Sequence, residues 1–257
     1  AETGDELCFD LRARLPSGRT AFFNSCMHAV RDAAGSVVKV SGIVQDVTSR
    51  KRDEEELLAT QAKLQQQLQG TIHVIQQMTE ARDQYTSGHQ KRVAQLAVAI
   101  TRQMGLPEES CVQLVDMAAL IHDIGKIAVP AEILAKPTTL LPAERSLVRT
   151  HAEMGYAILK EAGLPYPVPE IVLQHHERCD GSGYPKGLRG DEILPEASII
   201  VVADVVEAMS SHRPYRPALG IEAALEEISH GSGVRYDPDV VAACLALFRE
   251  KHFAFSD

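Results

Sequence analysis

The chain has 257 residues, 45% of them hydrophobic, enough to bury the core of one large domain or two moderate ones. A formal charge of −9 and a pI near 5.6 exclude a basic nucleic-acid groove, so a phosphate ligand has to be held by local cations or metals. The longest apolar run, around Ala197 to Val206, falls well short of the roughly 20 residues that cross a bilayer, and no charged-then-apolar signal peptide opens the sequence, so the cytoplasm is the expected compartment.

Residues 1 to 48 contain LCFDLRARLPSGR, TAFFNSCMHAVRD and VVKVSGIVQDVT, β-prone runs separated by the turn signals PSG and DAAG. They predict three consecutive antiparallel strands, too few for a whole domain. The lack of an initiator methionine places the start inside a longer protein. From 49 to 81 the composition shifts to charged and glutamine-rich residues without proline, predicting one long helix. Leu57, Gln61, Leu64, Leu68, Thr71, Ile75 and Met78 recur four and three residues apart along it. That spacing is the seam of a coiled coil with two polar interruptions, which favours a homodimerising signalling helix over a helix packed on its own domain. From 82 to 257, helical runs begin at prolines and end at glycines, predicting an all-helical bundle. SIIVVADVV has strand-like propensity, but with no neighbouring strands it is read as a buried helix.

Five cysteines, Cys8, Cys26, Cys111, Cys179 and Cys244, are odd in number and scattered without a CxxC pair, and all are expected to be free thiols.

The helical region contains His89, His122-Asp123, His151, His175-His176 and Asp204. Asp204 sits in an apolar run, where a carboxylate must be paired, neutralised or bound to a cation. In LIHDIGK, Lys126 follows His122 at i+4 and Asp123 at i+3, so its ammonium can lie over the same site. Imidazole and carboxylate donors suit borderline divalent metals such as iron, manganese, nickel, cobalt or zinc, and a carboxylate can bridge two of them.

These residues resemble a known family. His122-Asp123 in LIHDIGK is similar to the HD superfamily of metal phosphohydrolases, and HHERCDGSGYP followed by PKGLRG is similar to its HD-GYP branch. The likeness runs from about Thr79 to Phe248 and includes TSGHQKRV, THAEMGYAIL and ADVVEAMSSHRPYRPA. It implies an HD-type helical bundle that hydrolyses cyclic di-GMP to the linear dinucleotide pGpG, to GMP, or to both. It implies two divalent ions, iron or manganese first, held by His89, His122, Asp123, His151, His175, His176 and Asp204, with Asp123 as the bridge. Lys126 would face the scissile phosphate, Arg213 and Arg216 would hold phosphate oxygens, and Gly183 and Tyr184 would line the substrate site. Some family members carry a glutamate four residues before the first histidine, where it can reach a third metal. Tyr85 occupies that position here, which leaves two metals as the expectation. The N-terminal strands, ending in GIVQDVTSRKRDEEEL, resemble the last strands of a PAS sensor domain. The alternatives are a catalytically weak cyclic-dinucleotide receptor that signals to a partner protein, and a phosphodiesterase for a hybrid cyclic dinucleotide or another nucleotide.

Overall fold

The computed structural model describes residues 5–82, 88–106, 109–164, 166–212 and 217–255. It divides into two compact units, Ala1–Gln69 and Gly70–Asp257. The expected sites Tyr85, Arg213 and Arg216 lie outside the described residues.

The first unit holds an antiparallel sheet in the order β1 (Asp5–Arg14), β2 (Thr20–Arg31), β3 (Val37–Asp46). Its turns follow from their sequences. Gly18 adopts φ 80° in PSG, and Gly35 adopts φ 82° in DAAG. The Asp32 Oδ1 atom accepts from the amides of Ala34 and Ser36 at 3.0 and 2.9 Å, closing the second turn. The first hairpin register sets Cys8 directly opposite Cys26. Here the expectation of free thiols fails: the two form a disulfide, with Cα atoms 4.1 Å apart, while Cys111, Cys179 and Cys244 remain thiols. Opposed residues of an antiparallel pair project to the same face, so a sequence separation of 18 is no barrier once the turn fixes the register.

Helix α1 runs Thr48–Arg82. Its start is tied to the sheet, because the Phe22 amide donates to Thr48 Oγ1 at 2.8 Å and the Thr48 amide donates to Asp46 Oδ1 at 2.9 Å. Along the expected seam, Leu57, Leu64, Leu68 and Met78 are exposed in the single chain. Ile72 and Thr79 are instead buried. Ile72 joins the core of the second unit and the seam residue Ile75 packs against it, so in the last turns of α1 part of the seam is taken up by the helix's own domain.

The second unit is a helical bundle: α2 (His89–Gln103), α3 (Glu109–Ile121), α4 (Ala131–Leu134), α5 (Pro142–Arg149), α6 (His151–Glu161), α7 (Val168–Gln174), α8 (Pro195–Ser210), α9 (Ile221–His230) and α10 (Pro238–Arg249). The β-branched run SIIVVADVV lies in α8, which starts at Pro195 and buries Ile199, Ile200, Val201, Val202 and Val206. A helix apolar on all sides belongs in the middle of a bundle, and with no strand beside it to pair, tertiary burial overrides strand propensity. No helix among the described residues is long and apolar enough to cross a membrane.

Two glycines decide how closely the elements around the histidines approach. A Cβ on Gly125, in the 3-10 turn Ile124–Ala128 after α3, would lie 1.9 Å from the His151 carbonyl oxygen and 2.6 Å from the Gly155 amide nitrogen. A Cβ on Gly155 would lie 3.1 Å from Val172 Cγ1 of α7. The turn and α6 therefore meet at backbone distance, and the Val172 side chain of α7 packs directly on Gly155. Gly125→Ala is expected to cost at least about 1–3 kcal/mol, because the opposing atoms are backbone and cannot swing aside, which is a fall in melting temperature of about 2–4 °C per kcal/mol. Gly70→Ala, in the interior of α1 with nothing within 4 Å of the added Cβ, is expected to gain about 0.5–1 kcal/mol. Thermal melts of the two variants check the contrast, and equal melting temperatures would contradict it.

Candidate metal centre

Most of the polar cluster comes from helix ends. His89 opens α2 behind Gly88, whose φ is 71°; His122 and Asp123 follow the last residue of α3; His151 opens α6; and His175 and His176 follow α7. Asp204 alone comes from a helix interior, that of α8. Chain ends suit this role because helix termini bring polar side chains to an apolar core without breaking the helical ladder.

Three rings are fixed in the same way. His122 Nδ1 donates to the Ala119 carbonyl at 2.7 Å, His151 Nδ1 to Val148 at 2.7 Å, and His175 Nδ1 to Val172 at 2.5 Å. A carbonyl oxygen only accepts, so Nδ1 carries the proton and Nε2 presents a lone pair. The consequence is plain between His151 and His175, whose Nε2 atoms lie 3.1 Å apart. Two lone pairs at that distance repel unless a cation lies between them. A proton is disfavoured there: burial, the largest cause, lowers both imidazoles against the opposing pull of Asp123, His175 to about 3.

Two groups of donor atoms lie within 4.8 Å of one another: Asp123, His151, His175 and His176 in one, and His89, His122 and Asp123 in the other. Asp123 belongs to both. Its Oδ1 is 3.5 Å from His151 Nε2, and its Oδ2 is 3.4 Å from His122 Nε2 and 2.8 Å from Lys126 Nζ. Burial opposes ionisation of Asp123, but the Lys126 ammonium leads the groups that outweigh it and hold the carboxyl well below the usual range. Asp204 Oδ1 is 3.3 Å from His89 Nε2, which adds a second carboxylate beside the second group. All the cluster residues named from sequence and described here are thus brought together. Each group could hold a divalent ion.

Behind the cluster stands Glu207, fully buried, which the sequence reading missed. It accepts from His89 Nδ1, from Arg92 Nε at 2.7 Å and from Ser211 Oγ at 2.7 Å. Burial raises its pKa, yet these bonds prevail and set it at about 2. The signal was present: Glu207 lies three residues after Asp204 in the same apolar helix, and a buried carboxylate needs a partner for the same reason.

The GYP loop covers one side. Buried Glu177 accepts from the amides of Lys186 at 2.7 Å and Leu188 at 3.0 Å, folding the loop back. A Cβ at Gly183 would come within 2.4 Å of Glu177 Cα and the Arg178 amide nitrogen, so only glycine allows that approach. It delivers Tyr184, whose ring stacks on His176 with centroids 4.7 Å apart and carries the Arg149 guanidinium 4.9 Å from its centre. The centre opens beside Lys126 and Asp204, whose side chains are 14% and 15% accessible against 4% or less for Asp123, His122 and His151.

These shifts have a sign. His151, His175 and His176 have folded-state pKa values below the ordinary 6.5, so below about pH 6.5 the unfolded chain binds more protons and the metal-free fold weakens as pH falls. Each such histidine contributes at most about 1.4 kcal/mol per pH unit in that window. His89 has the opposite shift, and its contribution stays in place below 6.5. The urea midpoint of chelator-treated protein is therefore expected to fall from about pH 7 to about pH 5. A flat midpoint would contradict buried neutral imidazoles.

A family model described as HD domain matches residues 73–240. A Thermotoga maritima protein named cyclic di-GMP phosphodiesterase is 41% identical over 181 residues, which is 70% of this chain and 49% of that one. A Xanthomonas campestris pv. campestris cyclic di-GMP phosphodiesterase response regulator, RpfG, is 39% identical over 194 residues, 75% of this chain and 51% of its own. The chain thus spans about half the length of these relatives. The crystal structure of a Vibrio cholerae cyclic GMP-AMP specific phosphodiesterase superposes with a TM-score of 0.53 at 19% identity, covering 70% of this chain and 49% of that one, a likeness of fold. With that family match spanning the whole histidine–aspartate cluster and the Gly183-Tyr184-Pro185 loop beside it, the chain belongs to the HD domain family, in its HD-GYP branch.

Proposed function

We propose that the chain is a metal-dependent phosphodiesterase that hydrolyses cyclic di-GMP to linear pGpG, GMP or both. The observation that carries this reading is the pair of donor groups sharing Asp123, with the Nε2 atoms of His151 and His175 aimed at each other 3.1 Å apart. Neutral imidazoles and ionised carboxylates, with no thiolate among them, fit two divalent ions, iron or manganese first, with zinc, nickel or cobalt also compatible. The names of the relatives point to the same substrate.

In this reading His151, His175 and His176 would hold one ion, His89, His122 and Asp204 the other, and Asp123 would serve both. Such ions supply Lewis acidity towards a phosphoryl oxygen and acidify water at neutral pH. The protein's own groups do the rest. The Nδ1 bonds of His122, His151 and His175 keep the Nε2 lone pairs oriented without reorganisation. Glu207 does the same for His89. Lys126, held 2.8 Å from Asp123 at the open side, places a cation where negative charge grows on phosphoryl oxygens. Arg213 and Arg216 are assigned to phosphate oxygens from their sequence setting, and Gly183 positions Tyr184 at the mouth.

The same reading takes 1–48 as a sensor remnant, 49–81 as a signalling helix and 82–257 as the catalytic domain, and has two chains pairing through exposed Leu57, Leu64 and Leu68.

The reading is tested by incubating protein purified without oxygen with cyclic di-GMP, hybrid GMP-AMP and cyclic di-AMP, in manganese or ferrous iron. Turnover of cyclic di-GMP is expected to exceed the others. Binding without turnover would make the protein a receptor, and preference for the hybrid would reassign the substrate. Asp123→Ala is expected to abolish turnover and lower bound metal, whereas Lys126→Ala keeps metal and lowers kcat. Equal metal loss in both would leave Lys126 a purely structural partner of Asp123. Leu64→Glu with Leu68→Glu is expected to convert a dimer to a monomer by light scattering, and an unaltered dimer would move the interface elsewhere.

A further inference from the structure

Among the described residues around the centre, most cations are already committed. Lys126 pairs with Asp123 at 2.8 Å and Arg92 with Glu207 at 2.6 Å. Arg178 lies 5.1 Å from the Tyr236 ring centre and donates to the Glu177 carbonyl at 3.4 Å. Arg149 differs. It is exposed, it has no carboxylate partner among the described residues, and its guanidinium lies 4.9 Å from the centre of the Tyr184 ring. It is the last residue of α5, two residues before His151. The helix dipole favours a cation at that end, but a dipole does not require the side chain to lie over Tyr184.

A ring that carries a stacked imidazole and a guanidinium has little π-surface left for a nucleobase. What Tyr184 can offer a ligand is its edge and hydroxyl, and the group a ligand meets above it is Arg149. A cation–π contact at an exposed site is worth only about 0.5–1 kcal/mol, so it orients the guanidinium without consuming its donors. All five N–H donors remain available to a planar, bidentate acceptor.

Hydrolysis at the metal cluster engages one phosphate. A cyclic dinucleotide carries a second, on the opposite side of its ring, and with one in the centre the other must project towards the mouth. We propose that Arg149 binds this second, non-scissile phosphate and so selects substrates with two phosphodiesters. This inference rests on the phosphodiesterase reading of the metal centre.

The test uses the full chain loaded with manganese, with Arg149→Gln and Arg149→Lys beside the wild type. The KM for cyclic di-GMP is compared with the inhibition constant of GpG, which keeps both guanines and one phosphodiester but lacks the second phosphate. Arg149→Gln is expected to raise KM about 10- to 150-fold, the loss of one charge-assisted contact, with kcat and metal content changed far less. Arg149→Lys is expected to recover part of the loss, and the GpG constant to move far less than KM. An unmoved KM would overturn the proposal. An equal rise for GpG would assign Arg149 to a base instead, and a fall in metal content together with kcat would make its role structural. A wild type that neither binds nor hydrolyses any cyclic dinucleotide removes the phosphodiesterase reading and this inference with it, whereas wild-type turnover with unmoved KM in the variants removes the inference alone.

Discussion

The bond from a histidine Nδ1–H to the carbonyl three residues earlier recurs at His122, His151 and His175, and the site depends on it. It fixes tautomer and ring orientation together, because a carbonyl can only accept, which puts the proton on Nδ1, and lies at a place set by local backbone. Each of these rings sits where a helix begins or ends, so the chain can turn its polar end inward while the apolar faces of α3, α6, α7 and α8 close around it. Gly125 then lets the turn after α3 meet α6 at backbone distance, and Gly155 lets the Val172 side chain of α7 close on α6. Enlarging either glycine moves a ligand-bearing segment as a unit. Fold stability and site geometry are therefore the same constraint seen from two ends.

Electrostatics follows from that packing. Burial lowers the histidines and raises the carboxylates, and left alone it would neutralise the cluster. It fails for the carboxylates because each has an identified cation or donor: Lys126 for Asp123, His89 for Asp204, and His89 with Arg92 for Glu207. It succeeds for His151, His175 and His176, which have each other as neighbours. The result is a set of charged oxygens and neutral nitrogens, the protonation state that divalent ions require of their ligands.

Much of this could be read from residue order. The strands at 1–48, the long helix, the bundle and the helical character of SIIVVADVV all followed from turn residues, periodicity and the absence of partner strands. The candidate metal-donor residues were legible because histidines and Asp123 at helix ends, and Asp204 within one, stand out against apolar runs. Other features depended on the third dimension. Cys8 and Cys26 meet only through a hairpin register, which spacing between cysteines does not encode. Arg149 reads as one more charge at the end of an amphipathic helix until Tyr184 is placed under it. Glu207 could have been found, since the reasoning applied to Asp204 held equally three residues on.

Charge finally explains why metal and substrate are linked. The whole chain carries −9, so a dianionic nucleotide gains nothing from long-range attraction. Locally, the ionised carboxylates of Asp123, Asp204 and Glu207 outnumber the cations Lys126 and Arg92 paired with them by one. Were His89 to keep a proton against Asp204 and Glu207, the balance would only reach zero. The bare protein thus has no net attraction for a phosphodiester at its centre, and Arg149 stands over Tyr184 with no carboxylate partner among the described residues. Two divalent ions, as proposed, would reverse the sign of the interior by adding four units of charge while leaving the surface negative. In the reading proposed above, anion binding would then be confined to the loaded centre and its rim, and a chain with a negative overall charge could still hold one small cyclic dinucleotide.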